Sequence, residues 1–320
     1  MKLGFVYAGQ GSQKVGQGKD FYETFDEYKS TLDLANEVVK NTTDIDLKEV
    51  SFEGPIESLS KTRNTQPAMV AFAVGVTKLL KKEGIAPEYV LGLSLGEYSA
   101  LYSAGVFDEK NIIDLVSKRG KFMEEAASGL EVKMTAVLGS EREKVLDCCR
   151  KASAEMKNGE IVQAANFNCP GQIVISGNAK AVDRAEELLK EAGTKRLIPL
   201  NVSGPFHTAL MSEAGTRLRA ELDNVDEGPM ETRVVFNCLG HEKGDSEKVG
   251  DLLEKQVQSS VYLEDSIRYM AEKGVDTIVE IGPGNAISKF VKKTAPDIKV
   301  MSIDSVEDFE NVVKELKQWA

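Results

Sequence analysis

Residues suited to acyl chemistry stand at Gly92-Leu93-Ser94-Leu95-Gly96, followed by Glu97. The segment falls where the strand-like run YVLG meets the helix-like run LGEYSALYSAG. A serine at such a junction is presented on a sharp strand-to-helix turn, the setting of a nucleophile elbow. Small flanking residues let neighbouring backbone pack close, and the N–H of Leu95 is free to donate to an oxyanion. The plain alternative is a tight structural turn without chemistry.

A serine nucleophile needs a base, and histidine is the usual one. The chain has two, His207 and His241. His241 lies in LGHEKGD, a polar segment expected at the surface. His207 lies in NVSGPFHTALM, after a strand and before a helix, among apolar neighbours, so context favours it as the base.

Three other segments invite a test. Gly9-Gln10-Gly11-Ser12-Gln13 follows the first strand, yet a dinucleotide fingerprint needs glycine where Lys14 stands. A Walker pattern fails as well, because Gly18-Lys19 is followed by Asp20. A turn remains, either structural or offering an N–H near Gln10 to complete an oxyanion hole with Leu95. Arg119, in SKRGKFMEEA, offers a planar fork for a carboxylate. Its neighbours Lys118 and Lys121 make a solvated cationic face the simpler reading. Gly282-Pro283-Gly284, after TIVEI, reads as a strand-to-helix turn.

Strands and helices must alternate to position these groups. Strand patterns cover residues 2–8 and 89–93, and helical periodicity covers 65–81 and 111–127. Residues 133–138, 141–156, 160–166, 172–176, 179–191 and 194–200 then run β-α-β-β-α-β, the ferredoxin-like unit. Strands follow at 233–237, 277–281 and 299–303, separated by helices near 209–222, 248–258, 265–273 and 286–294. This alternation predicts an α/β protein with a mainly parallel sheet covered on both faces.

Composition narrows the function classes. The chain has 320 residues with 40 Lys and Arg against 51 Asp and Glu, a formal charge of −11. An acidic chain is a poor partner for nucleic acid or anionic membrane. The longest apolar run, residues 67–76, is shorter than the roughly 20 residues of a membrane span. No signal-peptide pattern opens the chain, so a cytoplasmic location is expected. The four cysteines, Cys148, Cys149, Cys169 and Cys238, form no C-x-x-C pair and lack zinc spacing to the histidines, so neither a metal nor a redox cofactor is expected.

Taken in order, GQGSQ (9–13), GLSLGEYSAL (92–101), RGKFM (119–123), NFNCPGQIVISG (166–177), KRLIPLNVSGPFHTALM (195–211) and VEIGPG (279–284) resemble the malonyl-CoA:acyl-carrier-protein transacylase family over nearly the whole chain. The resemblance implies a large α/β-hydrolase-like catalytic domain, residues 1–129 and 202–320, with a ferredoxin-like subdomain at 130–201. It implies Ser94 as nucleophile, His207 as its partner and the main-chain carbonyl of Gln256 as the group that orients His207. Gln10 and Leu95 would form the oxyanion hole, and Arg119 would pair with the malonyl carboxylate. Phe206 beside His207 matches malonyl-selective members. Leu93 departs from the usual GHSLGE pattern, which has histidine there.

The function so implied is ping-pong transfer of malonyl from malonyl-CoA to the phosphopantetheine thiol of acyl carrier protein. An acidic carrier needs a local basic patch on this acidic chain, and Lys195 with Arg196 is the expected one, ahead of Lys292 and Lys293. A monomer is expected. The competing readings are a serine hydrolase or thioesterase, a transferase for a branched extender unit, and a non-catalytic binding module.

Overall fold

The computed structural model describes residues 1–318. Ten strands occur in chain order: β1 Leu3–Tyr7, β2 Tyr89–Gly92, β3 Val132–Leu138, β4 Val162–Cys169, β5 Gln172–Asn178, β6 Arg196–Leu200, β7 Arg233–Val235, β8 Val261–Tyr262, β9 Thr277–Ile281 and β10 Lys299–Ile303. They build two five-stranded sheets, ordered β10-β9-β1-β2-β7 and β6-β3-β5-β4-β8.

Every pairing in the first sheet is parallel. Its central strands read LGFVY, YVLG and TIVEI and are buried along their whole length. Continuous apolar runs of this kind suit strands with helices on both faces. Of two long helices, Thr62–Lys82 packs against β9 of this sheet and Glu109–Ala127 packs on Thr62–Lys82. The second begins at Asp108, whose carboxylate accepts from the N–H of Asn111.

The second sheet is antiparallel except at one edge. Strands β6-β3-β5-β4, with helices Arg142–Glu155 and Ala179–Glu191, form the β-α-β-β-α-β unit expected from the pattern. It has its own core, in which Val145, Phe167, Ile175, Val182 and Leu189 are buried together.

Strand β8, absent from the sequence reading, joins that sheet in parallel beside β4, with Phe167 opposite Tyr262. Two residues are too short to leave a periodic signal. Their rings stack at 5.3 Å and 2°, and Arg142 lies 4.0 Å over the Phe167 ring while pairing with Asp265. The ferredoxin-like unit is thereby tied along one edge to the segment bearing β8.

Other elements also lack a counterpart in the sequence reading. Short helices occupy Lys19–Thr24, Asp26–Val38, Leu47–Phe52 and Ile56–Leu59. A cluster of Phe21, Tyr28 and Phe72 holds this region to the long helix Thr62–Lys82. Helices this short are set by tertiary packing more than by propensity. A final helix, Val306–Lys317, is capped by Ser305. No helix among the described residues is long and apolar enough to cross a membrane.

Candidate active site

Parallel pairing sets Tyr7 beside Gly92. The segments that follow β1 and β2 therefore leave the sheet at the same edge, which brings Gly9–Gln13 alongside Leu93–Gly96. The elbow needs two of its glycines for contact reasons. A Cβ on Gly92 would sit 1.8 Å from the carbonyl carbon of Gly96, and one on Gly96 would sit 2.1 Å from the oxygen of Tyr7. No side chain fits in either gap.

Ser94 stands on this turn with φ 52°. The left-handed conformation costs a non-glycine residue roughly 1–2 kcal/mol, so the surroundings must hold it. The side-chain amide of Gln256 donates to the Ser94 carbonyl at 2.8 Å. Helix Gly96–Ser103 starts immediately after the turn.

His207 comes from the segment before helix Ser212–Leu222 and also has a left-handed backbone, φ 59°. Its Nε2 lies 2.6 Å from Ser94 Oγ, and its Nδ1 lies 2.9 Å from the main-chain oxygen of Gln256. A carbonyl only accepts, so Nδ1 carries the proton and Nε2 offers its lone pair to the hydroxyl. Burial, and then the positive charge of Arg119, push His207 down to about 4. The imidazole is neutral near pH 7 and able to take a proton.

Arg119 is 1% exposed. It is therefore no part of a solvated cationic face. Ile112, Val116 and Met123 share its stripe of the helix Glu109–Ala127, at spacings of seven, three and four residues. The stripe turns inward and carries the guanidinium with it. One terminal nitrogen lies 3.3 Å from Ser94 Oγ and 3.1 Å from Gln256 Oε1, and the guanidinium stands 5.1 Å from the Tyr98 ring centroid. Burial lowers the Arg119 pKa, but a guanidinium keeps its charge in proteins. A desolvated cation beside the serine is chemically suited to pair with an anionic group.

These residues line a cleft of about 610 Å³. One wall comes from Gln10, Ser94 and Arg119, the other from Asn166 and Asn168 of β4 and Val174 of β5. Phe206 and His207 also face it, as does half-buried Leu93. The backbone N–H groups of Gln10 and Leu95 donate to no protein acceptor among the described residues. The Gln10 side chain is tied to Thr62.

Not every residue singled out in the sequence meets at this place. Lys195 and Arg196 are exposed and do not line the cleft. His241 is exposed, with Nδ1 against the carbonyl of Glu242. Gly282–Gly284 is the turn between β9 and helix Ala286–Thr294, and buried Glu280 accepts from the first N–H groups of that helix, those of Ile287 and Ser288. The four cysteines are free and buried. Among the described residues, no group of three or more His, Cys, Asp or Glu could hold a metal ion.

Two residues beneath the serine were not read from the sequence as site residues. Glu97 is fully buried, and burial raises it to about 8. Asn237, also fully buried, follows β7 at the same sheet edge. Glu97 had a signal, a charged residue inside an apolar elbow motif. Asn237 had none.

A parallel sheet with a serine–histidine pair over a strained strand-to-helix turn defines an acyltransferase-type site, and the family described as "Acyl transferase domain" matches residues 4–312. The chain is 41% identical over 317 residues, 99% of its length, to a malonyl CoA-acyl carrier protein transacylase of Bacillus subtilis (strain 168), of which 98% is covered. The crystal structure of a malonyl CoA-acyl carrier protein transacylase from Clostridium perfringens superposes with a TM-score of 0.93 at 38% identity, covering 100% of this chain and 98% of that one. A malonyl-transacylase solved in complex with its type II PKS acyl-carrier protein superposes with a TM-score of 0.92 at 34% identity, covering 98% and 100%. The chain belongs to the malonyl-CoA:acyl carrier protein transacylase family.

Proposed function

We propose that this chain moves a malonyl group from malonyl-CoA to the phosphopantetheine thiol of an acyl carrier protein, through an ester on Ser94. The observation that carries the assignment of the serine is the Oγ–Nε2 distance of 2.6 Å at a strained elbow.

The steps follow from the geometry. His207 Nε2 takes the hydroxyl proton as Oγ attacks the thioester carbonyl carbon. The N–H groups of Gln10 and Leu95 hold the developing oxyanion. The carbon–sulfur bond breaks, and the departing thiolate of coenzyme A takes the proton from His207. In the second half, the carrier's thiol gives its proton to His207 and attacks the ester. Ser94 Oγ leaves and takes that proton back. Protons and electron pairs balance with no metal or redox group.

Arg119 selects the acyl group. It would pair with the malonyl carboxylate, and an acetyl group would leave the buried cation without that partner. Phe206 narrows the space an α-methyl branch would need. The carboxylate clamp separates this reading from a general serine hydrolase. We divide the chain into a catalytic domain, residues 1–129 and 202–320, and a subdomain, residues 130–201, with the cleft between them. The protein acts as a cytoplasmic monomer in this reading.

For the carrier, Lys195 and Arg196 are the proposed contact, both exposed and without an ion-pair partner among the described residues. Lys292 and Lys293 are the competing pair, and Lys293 borders a groove that shares Gly11 with the cleft. Charge reversal at Lys195 and Arg196 should raise the carrier's KM and leave that of malonyl-CoA unchanged. An unchanged carrier KM moves the contact elsewhere.

The primary test is intact mass after incubation with malonyl-CoA or acetyl-CoA, without carrier. A malonyl adduct that is absent in Ser94→Ala, with little acetyl adduct, is expected. Free acid accumulating without an adduct would turn the assignment to a hydrolase.

A further inference from the structure

The side chain of Asn237 bridges the two ends of the elbow. Its Oδ1 accepts from the Ser94 N–H at 2.6 Å, and its Nδ2 donates to the Gly92 carbonyl at 2.6 Å. A backbone N–H only donates and a carbonyl only accepts, so the orientation of the amide is unambiguous. One planar group thus spans residues i and i+2 across the turn that gives Ser94 its left-handed φ.

Asn237 is itself held at the backbone. Its N–H donates to Glu97 Oε2 at 2.5 Å, and its carbonyl accepts from the Tyr262 N–H at 2.8 Å. Tyr262 belongs to β8, the strand paired with β4 across the cleft wall. The residue is fully buried and does not line the cleft. Its polar groups are all engaged inside the protein, so it does not touch substrate.

We propose that Asn237 is a positioning residue for the acyl transfer, fixing the strained backbone of Ser94 so that Oγ stays on the His207 lone pair and the Leu95 N–H stays turned to the oxyanion. The inference rests on Ser94 being the nucleophile. Without the bridge, the Ser94 N–H and the Gly92 carbonyl lose their partners, and the turn can relax toward an unstrained φ. The Ser94 carbonyl then keeps its donors, Gln256 Nε2 and the Glu97 N–H, but nothing holds the Ser94 N–H.

The experiment compares Asn237→Ala and Asn237→Asp with wild type in the malonyl transfer, after circular dichroism and thermal melting establish that each variant is folded. Asn237→Ala should lower kcat by about 10²-fold, the scale of a misplaced reacting atom, with KM for malonyl-CoA within about twofold of wild type. Asn237→Asp supplies a readout that a merely structural role would not move. A neutral carboxyl mimics the amide, because one oxygen accepts from Ser94 while the protonated one donates to Gly92. The ionised form turns an acceptor against the Gly92 carbonyl. The variant's rate relative to wild type should therefore rise as pH falls from 8 to 5.5, by up to about tenfold per unit above the pKa of the introduced carboxyl.

The titratable groups in contact with this position are Glu97 from helix Gly96–Ser103 and Tyr262 from β8, with Cys238 adjacent in the chain, while Arg119 and His207 stand beyond it at Ser94 Oγ. Glu97, in direct contact, titrates together with an introduced carboxyl, so the ratio is also taken in a Glu97→Gln background, where the rise toward low pH should persist. A folded Asn237→Ala with wild-type kcat overturns the proposal, and so does an Asn237→Asp ratio independent of pH. If Asn237→Ala does not fold, the Asp profile decides alone. Ser94→Ala run in parallel keeps the two ideas apart: an adduct in that variant sinks the nucleophile assignment, whatever position 237 does.

Discussion

Ser94 and His207 are the two non-glycine residues with positive φ among the described residues, 52° and 59°, and their side chains meet at 2.6 Å. Strain of this kind persists only where the surroundings over-determine it. Here one residue, Gln256, touches both. Its carbonyl receives His207 Nδ1 and its side chain donates to the Ser94 carbonyl. Three segments far apart in the chain are thereby locked into one unit.

Arg119 should set acyl selectivity. It is buried with a terminal nitrogen 3.3 Å from Ser94 Oγ. Arg119→Ala should lower kcat/KM for malonyl-CoA by about 10²–10³-fold, the scale of two lost charge-assisted hydrogen bonds. Arg119→Lys should recover only part, since an ammonium lacks the planar fork. Steady-state kinetics with malonyl-CoA and acetyl-CoA give the measure. An unchanged malonyl-to-acetyl ratio in Arg119→Ala would falsify the clamp.

The pH profile should be set by a depressed histidine. With His207 lowered to about 4, the free enzyme holds a neutral base from pH 8 down to about 5, so kcat/KM should be flat there. It should fall about tenfold per unit only below about 4. Stability should follow the same group. The unfolded chain binds a proton near 6.5 and the folded one near 4, so stability is retained above 6.5 and lost as pH falls through 4. Stopped-flow acylation rates across pH test the first point. A half-maximal rate near 6.5 would mean that His207 titrates as if exposed.

Glu97 should act in the opposite direction. Burial raises it from 4.5 to about 8, so the folded state prefers its neutral form. That preference favours folding fully below 4.5 and is lost as pH rises through 8. Glu97→Gln removes the titration. The variant should therefore gain stability relative to wild type between pH 5 and pH 9, read from urea midpoints at each pH. An equal difference at both would show that the carboxyl does not titrate with folding.

Gly92→Ala should disrupt the elbow. The added carbon would lie 1.8 Å from the Gly96 carbonyl carbon, a backbone atom that cannot swing aside. Overpacking of this kind costs roughly 1–3 kcal/mol, or more where backbone must move. Activity should fall with stability. A variant with an unchanged melting temperature and full activity would show that the turn has slack absent from this structure.

The elbow and the alternating elements were legible because both are local. A strand-to-helix junction with glycines around a serine is written in five consecutive residues, and the ferredoxin-like unit in consecutive periodic segments. Arg119 was partly legible. Its spacing from Ile112, Val116 and Met123 marks the apolar stripe of its helix, although the neighbouring lysines suggest an exposed face. The short helices between residues 19 and 59 were not legible, since contacts such as Phe21 with Tyr28 and Phe72 hold them in place.

What the sequence determined by itself was the chemistry on offer: a serine on a tight turn, two histidines and a set of ordered motifs. Context in the sequence favours His207 over His241, but their meeting was decided by tertiary structure, because His207 and Ser94 are 113 residues apart and only the fold brings them to 2.6 Å. Gln256 is reached in the sequence only through the family resemblance, since a backbone carbonyl is one that every residue type possesses, and the fold brings it to His207. The fold also brings Asn237 to the elbow, because β7 pairs with β2 in parallel and ends at the same edge. Hydrogen bonds between distant backbone and side-chain groups leave no periodic trace in a sequence, so they appear only once the sheet has set the strands in register.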